Sequence, residues 1–327
     1  MNIIWAFVLL VAGLVMLWKS ADILVDGAVG LAKRLGVSAL VVGLTVVAMG
    51  TSAPEAAASI AAAARNAGDV AIGNVYGSNI ANLALVGGLC ALIWPIRVQL
   101  RVLQRELPVM LIVALLLWPV LHNLHLSRAE GIVLLGIFAA LIVLTVHTAR
   151  KDAGRKPKTT TDVSDEVRKA KKLKVKSLKT CVLFVVIGLV GLALGADMSV
   201  RGAMFVGQQI GLSKAVIGLT IIAIGTSLPE LATCVAASLK KQDDISIGIM
   251  VGSNIFNALL AIGVAGLVRP FALSQRLIGV DYWVMVIVSA GFSCAALVGR
   301  RVIGRTSGAV LLCGYVAYIV YLLAFSG

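Results

Sequence analysis

The 327-residue chain predicts an all-α polytopic membrane protein: ten transmembrane helices in two inverted-topology five-helix repeats, with both termini outside. Three observations carry this. Sixty per cent of the residues are hydrophobic and only 13% are charged, about half the ~25% usual in soluble domains, so an ordinary soluble protein could not cover its surface. The apolar runs are continuous and of near-spanning length rather than alternating, which argues against a membrane barrel. A long segment also occurs twice, at an odd number of spans apart.

Apolar spans fall near 3–18, 37–64, 70–95, 106–122, 129–149, 180–196, 212–239, 245–268, 281–299 and 307–325. The first, Ile3 to Trp18, has no basic n-region and no small-x-small cleavage site, so it reads as a retained helix rather than a signal peptide. Residues 150–179 carry twelve Lys/Arg and four Asp/Glu and divide the chain into a first half, 1–149, a basic cytoplasmic loop, 150–179, and a second half, 180–327. Alternate loops beginning with 19–36 hold 23 Lys/Arg against six in the opposite set. The positive-inside rule puts the first set in the cytoplasm. The net charge of +14 therefore reports orientation, and no nucleic-acid partner is expected. The run Glu166 to Lys179 could lie as an amphipathic helix on anionic lipid, although an orientation signal alone accounts for its charge. Trp5, Trp18, Trp94 and Trp118 are placed as interfacial anchors. Asp22, Asp26, Asp69, Asp197, Asp243 and Asp244 are expected as solvated charges at span ends.

Residues 43–96 align without a gap to residues 218–271 at an offset of 175, with 24 of 54 positions identical. Gly13 with Gly188, Asp22 with Asp197 and Gly36 with Gly211 extend the match upstream. Five spans separate equivalent points, so the second copy enters from the opposite side. This is the architecture of many secondary transporters, whose site lies at the midplane where the repeats meet.

Two acids lie deep in apolar sequence, Glu55 and Glu230, at the same repeat position. A carboxylate in a membrane costs a few kcal/mol at least, ~3 on insertion scales, and marks function by default. Each ends a GTSxPE: Gly50-Thr51-Ser52-Ala53-Pro54-Glu55 and Gly225-Thr226-Ser227-Leu228-Pro229-Glu230. Spacings of three and four place the Thr51, Ser52 and Glu55 oxygens on one helix face. Pro54 cannot donate to the Gly50 carbonyl and opens that turn. Freed carbonyls in a membrane must line a cavity or hold an ion. The second motif, GSNIxN, gives Ser78 and Asn82 in one copy and Ser253 and Asn257 in the other. Carboxylates, hydroxyls, amide oxygens and loosened carbonyls form a hard-oxygen ligand set suited to Ca²⁺ or Na⁺. Two glutamates give a site of about −2, which one Ca²⁺, two monovalent cations or two protons neutralise; a neutral occupied site can reorient, while an empty one is costly to bury. Five scattered cysteines in apolar sequence imply small buried hydrophobes rather than a disulfide framework or metal site.

The paired GTSxPE and GSNIxN segments resemble the α-repeats of the sodium/calcium exchanger family, within the calcium/cation antiporter superfamily, in a prokaryotic form. The resemblance implies ten helices with four central ones around the site. It implies Glu55 and Glu230 as principal Ca²⁺ ligands, and Thr51 and Thr226 as donors of backbone carbonyls and hydroxyls. Ser52, Ser227, Ser78, Ser253, Asn82 and Asn257 would line the ion positions. Family members often carry Asp where this chain has Asn257, which removes a third charge and leaves Na⁺ and H⁺ both open as the coupling ion. The central loop is too short for a calcium-sensor domain. The expected protein is thus a multi-pass antiporter of the cell inner membrane. It would exchange Ca²⁺ for Na⁺ by alternating access, or for H⁺, without cofactor or obligate protein partner. A cation channel could use the same oxygens without coupling. An intramembrane hydrolase would need its two acids in different surroundings, and these are near-duplicates.

Overall fold

A computed structural model describes residues 2–153, 177–210 and 223–325. The run Glu166 to Lys176 therefore lies outside the described residues. The first half contains helices α1 (Ile3–Leu35), α2 (Ala39–Thr51), α3 (Ala53–Ala64), α4 (Gly68–Ile93), α5 (Val102–Leu121) and α6 (Arg128–Ala149). The second contains α7 (Leu178–Gln209), α8 (Ala223–Thr226), α9 (Leu228–Leu239), α10 (Asp243–Val268), α11 (Leu277–Val298) and α12 (Arg305–Ala324). Helices α3 and α9, and likewise α4 and α10, begin and end 175 residues apart, so the sequence repeat is a structural repeat.

Among the described residues eight helices are long and apolar enough to span a membrane; α2 and α3, bent 45° at their junction, add a ninth as one broken span. Residues 211–222, which lead into the equivalent pair α8 and α9, lie outside the described residues.

Local chemistry sets the ends. Asn2 caps α1 by accepting the Trp5 amide at 2.9 Å, and Ser177 caps α7 by accepting the Thr180 amide at 3.2 Å, as small polar N-caps do. Gly36 ends α1 in the left-handed region at φ 66°, where glycine is unstrained. Both α1 and α7 run far beyond the expected 3–18 and 180–196: Asp22 and Asp26 are in mid-helix in α1, and Asp197 in α7. These helices pack closely. A Cβ added at Gly188 would lie 2.7 Å from Leu24 Cβ, so glycine there sets the approach.

The centre of the fold is α4 and α10, buried over 72% and 83% of their spans, whereas α6 and α12 are buried over 11% and 17%. Helical turns of π type interrupt both central helices just where GSNIxN ends, at Ala81–Val86 and Asn257–Ala261. Such turns often mark functional sites. Two short antiparallel strand pairs tie the halves crosswise. β1 (Ile96–Arg97) pairs antiparallel with β4 (Val302–Ile303), and β2 (His125–Leu126) with β3 (Phe271–Ala272). Each joins a loop of one half to a loop of the other, at opposite ends of the bundle. Cys90, Cys181 and Cys234 are buried as expected, but Cys294 and Cys313 are exposed, since α11 and α12 turn those faces outward.

Candidate ion-binding site

The two GTSxPE motifs break their helices in the same way. Ser52 and Ser227 leave the helical region with φ, ψ of −86°, 5° and −89°, 6°. Each serine precedes a short helix whose second residue is proline, a position where the missing N–H costs nothing. The glutamates therefore sit in the first turn of α3 and α9, where the positive end of the helix favours a carboxylate.

The breaks face each other. Ser52 Oγ donates to Glu230 Oε1 at 2.8 Å, and Ser227 Oγ to Glu55 Oε1 at 3.5 Å. The sequence spacing suggested Ser52 beside its own Glu55; instead each serine reaches the other repeat's carboxylate. The Thr51 hydroxyl turns back to Val47 O and Ala48 O at 3.1 and 3.3 Å, so it serves its own helix. Thr226 is half-buried.

Burial is complete for the remaining members of the set. Glu55, Ser52, Ser227, Asn82, Ser253 and Asn257 have no exposed surface, Glu230 and Thr51 retain 1%, and Ser78 3%. Glu55 Oε2, Glu230 Oε2, Asn82 Oδ1, Ser253 Oγ and both Asn257 amide atoms have no hydrogen-bond partner among the described residues. Buried polar atoms are nearly always paired, and leaving one bare costs about 1–3 kcal/mol. Five of these six atoms are hard oxygens, the donor class that divalent and alkali cations take in place of water. The bare atoms come from α3, α4, α9 and α10.

Three features escaped the sequence reading. Asn79 and Asn254, inside GSNIxN, donate to each other's backbone carbonyls at 3.3 Å, and Asn82 Nδ2 donates to Asn254 Oδ1 at 3.4 Å. Their matched positions were the available signal. Asn74 Nδ2 donates to Glu55 O at 3.0 Å and to Ser59 Oγ at 2.9 Å. The repeat equivalent of Asn74 is Ile249, so only the first glutamate is held this way. Glu106 and Asp281, also 175 apart, are each 5% exposed. Arg105 lies 3.8 Å from Glu106, and Tyr318 Oη donates to Asp281 at 3.1 Å. Each stands at the first position of its apolar span, 106–122 and 281–299, and the sequence reading gives neither a role.

Residues 5–146 and 180–324 match the family described as sodium/calcium exchanger protein. The inner membrane protein YrbG of Escherichia coli is 37% identical over 317 residues, covering 97% of this chain and 96% of that protein. The sodium/calcium exchanger MaX1 of Methanosarcina acetivorans is 31% identical over 343 residues, covering 97% and 98%. Among solved structures, the sodium-calcium exchanger NCX_Mj superposes with a TM-score of 0.81 at 30% identity, over 98% of this chain and 100% of that one.

Proposed function

This chain belongs to the sodium/calcium exchanger family, and on that premise we propose that it moves Ca²⁺ against Na⁺ by alternating access around Glu55 and Glu230. The family is one of membrane antiporters; the choice of ions and of ligands is our reading. One observation carries it. Two fully buried carboxylates from opposed helix breaks each hold one oxygen on the other repeat's serine and keep the second oxygen unpartnered.

The ligand set we assign is Glu55 and Glu230 for charge, Asn82, Asn257 and Ser253 for neutral oxygens, and Ser52, Ser227 and Ser78 at the margin. Thr51 and Thr226 contribute through the opened backbone at the breaks. Charge balance then drives exchange. A site of −2 is neutral with one Ca²⁺ or two Na⁺, and only a neutral site crosses the low-dielectric interior cheaply. The bare carboxylate pair returns slowly, so transport is coupled. We assign ten spans on the strength of the repeat, which makes α8 and α9 the counterpart of the broken pair α2 and α3. The Lys/Arg bias then places both termini outside and residues 150–179 in the cytoplasm of a cell with this protein in its inner membrane. The name of the Escherichia coli relative supports that location.

Asn257 favours a second reading, Ca²⁺/H⁺ exchange, because a neutral amide replaces one titratable ligand while two protons still suffice to neutralise the glutamates. ⁴⁵Ca²⁺ uptake into proteoliposomes, with outward Na⁺ and outward H⁺ gradients imposed separately, separates the two. Uptake with the Na⁺ gradient alone supports the first reading. Uptake with the H⁺ gradient alone replaces it by the second.

A further inference from the structure

A polar cavity of about 590 Å³ lies at the end of the bundle away from the β2–β3 pair, and its lining includes Arg97, Lys241, Arg300 and Arg301 together with Gln99, Asp243 and Asp244. All four cations are exposed, and among the described residues none of them forms an ion pair within 4.0 Å. Lys241 Nζ stands 4.9 Å from the Trp94 ring centroid, in a cation–π contact. The two carboxylates leave the four cations a formal excess of two positive charges, and each is hydrogen-bonded through one oxygen, with Asp243 Oδ1 unpartnered among the described residues. Asp243 accepts the Arg97 backbone amide at 3.2 Å, and Asp244 accepts Gln99 Nε2 at 2.6 Å; both occupy the first turn of α10, where the helix dipole favours them.

The opposite end of the molecule provides an internal control. There the strand pair β2–β3 repeats the same backbone. Leu273 N donates to Leu124 O at 2.8 Å as Val98 N donates to Arg301 O at 2.8 Å, and Ser274 N donates to Asp69 Oδ1 at 2.8 Å. Yet the residues equivalent to Arg97, Lys241, Arg300 and Arg301 are Ala272, Asn66, Asn123 and Leu124. The scaffold therefore needs no cation at any of the four positions. Two pairs also share a left-handed backbone: Asn66 at φ 61° with Lys241 at 56°, and Leu124 at 59° with Arg301 at 70°. Arg300 adds a third left-handed cation at 51°. Leu124 shows that the backbone at Arg301 adopts this region without any charge, whereas at Lys241 a long cation stands where the other end has asparagine, which tolerates the conformation better.

We propose that this basin is a binding site for a phosphate-bearing anion, held by the three guanidinium groups and the Lys241 ammonium. Guanidinium forks match phosphate oxygens two at a time, and basic pockets at the cytoplasmic ends of spans take anionic headgroups. A phospholipid headgroup and a free phosphate present the same chemistry here.

The test uses the purified full-length protein in neutral detergent, titrated separately with short-chain phosphatidylglycerol and with inorganic phosphate. Choline chloride holds the ionic strength so that no transported cation varies, and the thermal unfolding midpoint is the readout. The wild type should show a saturable rise, and Arg97→Ala/Lys241→Asn/Arg300→Asn should weaken its apparent affinity at least tenfold. The basic 150–179 loop stays intact in that variant and supplies the nonspecific background. A rise with phosphatidylglycerol alone assigns the site to lipid, and a rise with inorganic phosphate assigns it to a free phosphate as well. Arg97→Lys/Arg300→Lys/Arg301→Lys keeps every charge and should still weaken binding several-fold, because the planar fork is lost. A midpoint unmoved by both ligands, or a triple variant that responds like the wild type, would overturn the proposal and leave the cations as an orientation signal only.

Discussion

Asn79 and Asn254 hold each other: each side-chain amide donates to the other's backbone carbonyl at 3.3 Å, across the line that relates the two repeats. They are equivalent residues on α4 and α10, the two most buried helices, and both are 3% exposed. A reciprocal bond of this kind requires both helices to keep their depth and rotation. It therefore fixes the relation between Asn82 and Asn257, which lie three residues further along the same helices.

Asn79→Ala or Asn254→Ala should each cost about 1–2 kcal/mol, in the range of interhelical hydrogen bonds in membranes with one partner left bare. Each variant keeps its own backbone carbonyl and so breaks only the bond that its side chain donates; the double variant should cost about the sum of the two. Unfolding in detergent measures all three, and a clear departure from additivity would show that one bond depends on the other.

Glu55→Gln and Glu230→Gln should each abolish Ca²⁺ uptake while leaving a folded protein, because each removes one of the two charges that balance a divalent ion. Ser52→Ala should impair uptake more than Ser227→Ala, in line with the 2.8 and 3.5 Å bonds that these serines make to the carboxylates. Saturable Ca²⁺ uptake surviving in both Gln variants would remove the glutamates from the site.

Asn257→Asp takes the site from two negative charges to three. One Ca²⁺ then no longer neutralises it, and a monovalent cation must accompany the divalent one or a third must replace it. The dependence of exchange on Na⁺ should become steeper, read as a higher Hill coefficient in Na⁺-driven ⁴⁵Ca²⁺ flux. An unchanged coefficient would mean that residue 257 does not face the ions.

Lys240, at the end of α9, clasps α1 through Asp22 and Asp26, each at 2.7 Å. Burial of the ammonium pulls its pKa down, but its bonds to the two aspartates outweigh that and hold it above the ordinary lysine value. With the folded pKa raised, the clasp is fully present below the unfolded pKa of about 10.4 and is lost only as pH climbs through the folded value. Lys240→Gln should lower stability by about 0.5–1 kcal/mol, small because the partners are half exposed. The difference from wild type should stay constant between about pH 6 and 9. A difference that changes within that window would assign the titration to another group.

Much of the architecture could be read along the chain because membrane burial and internal duplication both act linearly. Apolar runs must be long enough to cross, and a duplicated segment announces itself at one offset. Glu55 and Glu230 stood out for the same reason, being charges where no charge is otherwise tolerated. Glu106 and Asp281 did not, since an acid at the edge of an apolar run looks solvated until the neighbouring helices bury it. The lengths of α1 and α7 were underestimated because both continue past charged residues that a hydropathy reading takes as an end.

Sequence alone determined the membrane class, the duplicated halves, and the carboxylates, hydroxyls and amides of the two paired motifs, since composition, period and identity are properties of the chain in order. Tertiary structure decided who touches whom. Ser52 bonds Glu230 rather than Glu55, Asn79 bonds Asn254, and four cations from three separate loops line one basin. Ser52 and Glu230 are 178 positions apart and Asn79 and Asn254 175, and no local spacing encodes such pairings; they follow from the way two duplicated halves pack face to face and pair short strands across each end.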